Sequence, residues 1–215
     1  MKTYYDYLPH RLAWVRVRVG NLNSVAFLPP TGVAERVVSF RRGGGTFLAR
    51  VQDLEAIASR YPHEKVSVSL AAYSNGQSQD CVVLVTAVAV DLDAPGSWAT
   101  REMVELLRKR FPEAALIWSN GVTLLFPLDR TPQTHRCKAV QAWHDALPAA
   151  FQVGREAERL SGLTYDVGTH FCANGSPAEH AAHLFRAPFG WADRRKAVPE
   201  FFAPLSEDRS NGRTT

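Results

Sequence analysis

Between Leu12 and Val19 apolar residues alternate with Arg16 and Arg18, a period-two pattern that predicts a half-buried strand with both arginines on its wet face. Val37 to Phe40 and Thr46 to Leu48 are further apolar runs, set on either side of Arg41-Arg42-Gly43-Gly44-Gly45. Three glycines there fit a plain hairpin turn, or a mobile loop whose backbone N–H groups can approach an anion. No Gly-Lys-Ser/Thr follows, so it is not a Walker loop. Val51 to Tyr61 has helical spacing with Leu54 and Ile57 inward, and Pro62 stops it. Lys65 to Tyr73 alternates again as a strand, and Ser74 to Ser78 reads as a loop. Residues 98–111 form an amphipathic helix capped by Ser97 or Thr100, with Met103, Val104, Leu107 and Phe111 on one face and Pro112 beyond it. Asn120-Gly121 between the apolar runs Ala115–Trp118 and Val122–Leu128 is a strong hairpin signal. A long helix is expected over Thr134 to Phe151 and a short one over Arg155 to Leu160. No repeat or linker divides the chain, which predicts one domain over residues 1–205 and a polar, frayed tail over 206–215.

The run Val88-Ala89-Val90-Asp91-Leu92-Asp93 organises these elements. Read as a strand ending at Ala94-Pro95-Gly96, it places Asp91 and Asp93 on one face and sends Leu92 the other way, into the core. Two carboxylates at the end of an apolar strand repel each other unless a positive charge lies between them. Oxygen-only ligands favour Mg²⁺ or Mn²⁺, and a pair of such ions about 4 Å apart is the usual device of phosphoryl and nucleotidyl transfer. The same Asp-x-Asp pattern could also do no more than end a strand and open a turn. A third carboxylate, Asp166, sits in a similar setting within Leu163-Thr164-Tyr165-Asp166-Val167-Gly168.

At 215 residues and 46% hydrophobic, the chain can bury a substantial core, so it is not disordered. No window approaches a membrane span and Met1 to Asp6 lacks a signal-peptide apolar region, from which a cytoplasmic protein is expected. Cys81, Cys137 and Cys172 form no Cys-x-x-Cys and are expected to be reduced. The net charge of +4 is unevenly spread: residues 1–50 carry Lys2 and seven arginines against Asp6 and Glu35 alone. A basic first quarter beside an acidic site suits an enzyme that grips nucleic acid, although a solubilising arginine surface fits the charge equally well. His170, Cys172, His180 and His183 are zinc-type ligands, but their irregular spacing also suits solvent-facing or capping histidines.

Taken in order over residues 65–200, these pieces resemble the catalytic domain of the archaeo-eukaryotic primase superfamily, the primase-polymerases of plasmids, phages and mobile elements. Val90-Asp91-Leu92-Asp93-Ala94-Pro95 resembles its first metal motif, the hairpin Trp118 to Leu128 its second, and Asp166 its third carboxylate. Leu184 to Gly190 followed by Arg194-Arg195-Lys196 resembles the closing Arg and Lys stretch. The resemblance implies an α/β (α+β) fold of two lobes, an N-terminal α/β lobe and a sheet lobe like an RNA-recognition motif, with the active site in the cleft between them. It implies two Mg²⁺ or Mn²⁺ ions on Asp91, Asp93 and Asp166. Ser119, Asn120, Thr123, Arg186 and Lys196 would bind NTP or dNTP, and Arg16, Arg18, Arg41 and Arg42 the backbone of a single-stranded DNA template and primer. A helicase domain or subunit would be a natural companion. The implied activity is DNA primase or template-dependent polymerase. A two-metal nuclease or phosphodiesterase, or a weakened single-strand-binding initiator, are the alternatives that the aspartates leave open. Where the family has a nucleotide-contacting histidine, this chain has Thr123 if the hairpin is aligned on Phe126-Pro127-Leu128, or Leu124 if it is aligned on Ser119; Thr123 there predicts roughly tenfold weaker nucleotide binding unless another cation compensates.

Overall fold

The computed structural model describes residues 2–20, 35–41, 44–62, 64–74, 81–92, 99–119, 121–128, 152–153, 155–157, 159–160, 184–189 and 199–205, with backbone only at 35–41, 44–45 and 185–186. The architecture is mixed α/β with two antiparallel sheets. The first holds β1 (Trp14–Val19), β2 (Glu35–Arg41), β3 (Gly44–Arg50), β4 (Val66–Tyr73) and β5 (Val82–Val85) in the order β2-β3-β1-β4-β5. After β3 come a 3₁₀ turn, Val51–Asp53, and helix α1 (Leu54–Arg60). The second sheet is built from β6 (Ala87–Leu92), β7 (Ala115–Trp118) and β8 (Val122–Pro127), with helix α2 (Arg101–Arg110) between β6 and β7. Short β9 (Leu184–Arg186) pairs with β4, and β10 (Glu200–Phe202) completes the order β10-β7-β8-β6. Because β6 and β7 are each antiparallel to β8, they run parallel to one another and bracket it, a split β-α-β arrangement joined through α2.

Local sequence accounts for most of these elements. Thr100 caps α2 by accepting the Met103 N–H at 3.3 Å, and Val104 and Leu107 are wholly buried on its inner face. The β2–β3 ladder runs out to Arg41↔Gly44, so two of the glycines first read as loop are strand, and only residues 42 and 43 lie between the strands. β4 was expected to be half-exposed, yet all eight of its residues are buried. Its serines serve the sheet instead of solvent: at an irregularity where β1 skips from Val15↔Ala72 to Val17↔Val68, the Ser69 hydroxyl accepts the Arg16 N–H at 3.0 Å and donates to the Ala71 carbonyl at 3.1 Å.

The apolar run from Val82 to Leu92 is two strands in two sheets, broken at Thr86. The Thr86 N–H donates to the Leu70 carbonyl of β4 at 2.9 Å, while its own carbonyl accepts the Leu128 N–H from the end of β8 at 2.9 Å. Its hydroxyl lies 2.7 Å from the Tyr7 carbonyl and 2.9 Å from that of Leu70, sharing one proton between them. Both hydrophobic clusters draw on both sheets. One joins α2 and Val90, Leu92 and Leu116 to Leu48, Tyr73 and Val82. The other joins α1 and Val17, Phe47 and Val68 to Ala89, Ile117 and Leu125. At its border Tyr4 meets Phe189 and Phe201 edge-on, and Tyr5 stacks on Phe189, tying the N-terminal segment to the C-terminal one.

Candidate functional site

Asp91 lies one residue from the C-terminal end of β6, which stands at the end of its sheet's order among the described residues. Period two sorts the strand as expected. Val88, Val90 and Leu92 enter the cluster that holds α2, while Ala87 and Ala89, and with them Asp91, belong to the opposite face. Leu92 is wholly buried and Asp91 half-buried.

Across the ladder Asp91 pairs with Thr123 of β8, which in turn pairs with Ile117 of β7. Thr123 Oγ1 donates to Asp91 Oδ1 at 2.8 Å, from a side chain that is only 8% exposed. The hydroxyl has one proton and here directs it to the carboxylate. In this structure the Thr123 proton goes to Asp91, the residue that strand pairing sets opposite it. The signal was present in the sequence: Val90-Asp91-Leu92 and Val122-Thr123-Leu124 each set one polar residue between apolar neighbours, and antiparallel pairing brings the two polar ones face to face.

Leu92↔Val122 and Trp118↔Val122 close the sheet at this end, so the turn that follows β7 lies at the same end as Asp91. In that turn the half-buried Ser119 donates its N–H to the Gly121 carbonyl at 3.0 Å. Trp118 is fixed by its indole N–H to the Ala99 carbonyl at 2.9 Å, with the Arg101 guanidinium 5.6 Å from its ring centre. Thus Asp91, Thr123 and Ser119 come together at one end of one sheet. Asp93, Asn120, Asp166, Lys196 and Arg42, together with His170, Cys172, His180 and His183, lie outside the described residues, as do the helix expected over 134–151 and the tail.

Arg16, Arg18 and Arg41 belong to the first sheet. Arg18 is exposed and pairs with Thr46 on one side and Ser67 on the other, and Ser67 pairs in turn with Arg186 of β9. Arg186 therefore stands in register with the N-terminal arginines, a strand away from Arg18, and not on the Asp91 sheet. Beside this row, burial pushes the Tyr73 phenol above its usual range, and the nearby Arg16 guanidinium pulls it part of the way back. The exposed Arg18 guanidinium is of a kind that suits phosphate oxygens by charge and by hydrogen bonding.

As a cation ligand Asp91 is well suited. It offers only oxygen, the ligand type a hard divalent ion prefers, and one of its oxygens is anchored by Thr123. No helix among the described residues is long and apolar enough to cross a membrane. No family model, no curated protein and no solved structure matches this chain.

Proposed function

We propose that this chain is a primase-polymerase, adding NTP or dNTP to a 3′-hydroxyl on a single-stranded DNA template. The observation that carries the reading is the Asp91 carboxylate, held by Thr123 at the C-terminal end of β6 on the face away from α2. The split β-α-β sheet is the kind of scaffold the reading calls for, and the first sheet supplies the arginine row for a nucleic-acid backbone. In this reading the two sheets correspond to the two lobes of the primase-polymerase fold. Asp93 and Asp166 complete the acidic site, while Ser119, Asn120 and Lys196 help to bind the triphosphate. Divalent ions bound there supply the charge that activates the attacking hydroxyl and neutralises the leaving pyrophosphate. Asp91 orients that charge, and the arginines hold template and primer in register with it.

The test is primer extension with Mg²⁺ or Mn²⁺ and either nucleotide class, paired with a gel shift. Wild type should extend the primer. Asp91→Asn should lose extension while binding DNA as well as or better than wild type, because a charge that repels phosphates is gone. Cleavage of the primer without incorporation would assign a two-metal nuclease instead, and binding alone would assign an initiator module. Substantial extension by Asp91→Asn sinks the proposal.

A further inference from the structure

We infer that Thr123 is a positioning residue for Asp91: its hydroxyl fixes the orientation of the carboxylate and so sets the affinity of the site for a divalent cation. This rests on the reading of Asp91 as a cation ligand. Three observations support it. The two residues are direct partners across β6 and β8, the bond is 2.8 Å long, and Thr123 is 8% exposed, so water competes little for it. A β-branched side chain in a strand has restricted χ1, which places the donor before any ligand arrives. The bond at Oδ1 narrows the range of orientations of the carboxylate, so less orientational entropy is lost when it binds a cation than without the bond. Partners that orient a ligand in this way are worth about 10–100-fold in metal affinity when removed. A histidine at position 123 would forfeit this bond in a nearly closed space, so Thr123→His is expected to weaken the site, contrary to the gain that replacing a missing family histidine would suggest.

The probe is Mn²⁺ alone, titrated into the full chain and followed by the electron paramagnetic resonance of the free ion, with no nucleotide or DNA present. Thr123→Val should weaken Mn²⁺ binding by about tenfold, near the lower end for an orienting partner. Thr123→Ser, which keeps the hydroxyl, should stay within about threefold of wild type, since only χ1 restraint is loosened. Thr86→Val, buried in the same molecule but remote from the carboxylate bond, should lower thermal stability and leave Mn²⁺ affinity unchanged. If the valine variant does not fold, Thr123→Ala carries the same expectation. Wild-type affinity in Thr123→Val or Thr123→Ala, or a failure of Thr123→Ser to restore binding, overturns the positioning role while leaving Asp91 a ligand. Equal Mn²⁺ binding by wild type and Asp91→Asn overturns both the site reading and this inference.

Discussion

Replacing Thr86 with valine keeps the shape of the side chain and removes one hydroxyl from the point where the chain passes between sheets. Thr86 is 1% exposed, and the lost proton is the one shared by the Tyr7 and Leu70 carbonyls. Leu70 still accepts the Thr86 backbone N–H, so the cost falls mainly on Tyr7. Depriving a buried acceptor of its partner costs about 1–3 kcal/mol. The methyl that replaces the hydroxyl returns up to about 0.8 kcal/mol of apolar burial. The net loss should be about 1–2 kcal/mol, which for a chain of this length lowers Tm by about 2–8 °C. Urea denaturation with an unchanged slope measures the stability, and hydrogen exchange reports the place. The Asp6 and Leu8 amides, bonded to the Thr3 and Tyr5 carbonyls, should exchange about tenfold faster if the Tyr7 tie is what holds that segment. A loss below about 0.5 kcal/mol, the scatter of ordinary surface substitutions, would refute the reasoning.

Other positions carry equally definite expectations. Gly20 has φ +40°, donates its N–H to the Lys65 carbonyl, and would drive a Cβ into the Glu64 side chain. Gly20→Ala should therefore cost about 1–2 kcal/mol in urea melts, with Glu64→Ala relieving the collision but not the backbone strain. Ser69→Ala strips partners from the Arg16 N–H and the Ala71 carbonyl at once, and should cost about 2 kcal/mol or more in the same assay. Hydrogen bonds from Arg159 and then Arg110 hold the Glu156 carboxyl down at about 2 against an ordinary 4.5. A depressed carboxylate contributes stability above its unfolded value and loses it as pH falls through the folded one. Glu156→Gln should thus be less stable than wild type at neutral pH, with the gap closing between pH 4.5 and about 2. A gap that persists at pH 2 would mean that charge is not what Glu156 contributes.

Elements whose evidence is local could be read from the sequence, and those whose evidence is tertiary could not. Strand β1, helix α2 with its Thr100 cap and Pro112 stop, and the hairpin around Gly121 follow from periodicity and turn chemistry. So does the inward turn of Leu92 beside Asp91, because period two leaves no alternative. The break at Thr86 was invisible, since a β-branched residue inside an apolar run fits a strand, and only the carbonyls of Tyr7 and Leu70 explain why it stands there. Strands β9 and β10, three residues each, are too short to show a period. Arg186 reads as part of a motif in the chain, but its register opposite Ser67 is a long-range pairing that no local window contains. For Thr123 the sequence resemblance suggests a nucleotide contact, and strand pairing sets it opposite Asp91.

Shared clusters have a consequence for how the two sheets can move. In a protein whose lobes carry separate cores, a cleft can open by swinging one lobe about a hinge, since the only contacts broken are those of a polar interface. Here Ala89, Ile117 and Leu125 of one sheet are packed with Val17, Phe47 and Val68 of the other, so parting the sheets would bring buried apolar surface into water. Each of the larger of these side chains, Ile117, Leu125, Val17, Phe47 and Val68, costs about 1.5–3 kcal/mol to expose, and a swing that exposed all of them would rival the stability of a whole domain. The two sheets therefore move as one body. Under the proposed function, a template passing Arg18 and a nucleotide at Asp91 would have to fit a frame that does not open, and the spacing between those residues would act as a fixed gauge of what the site admits.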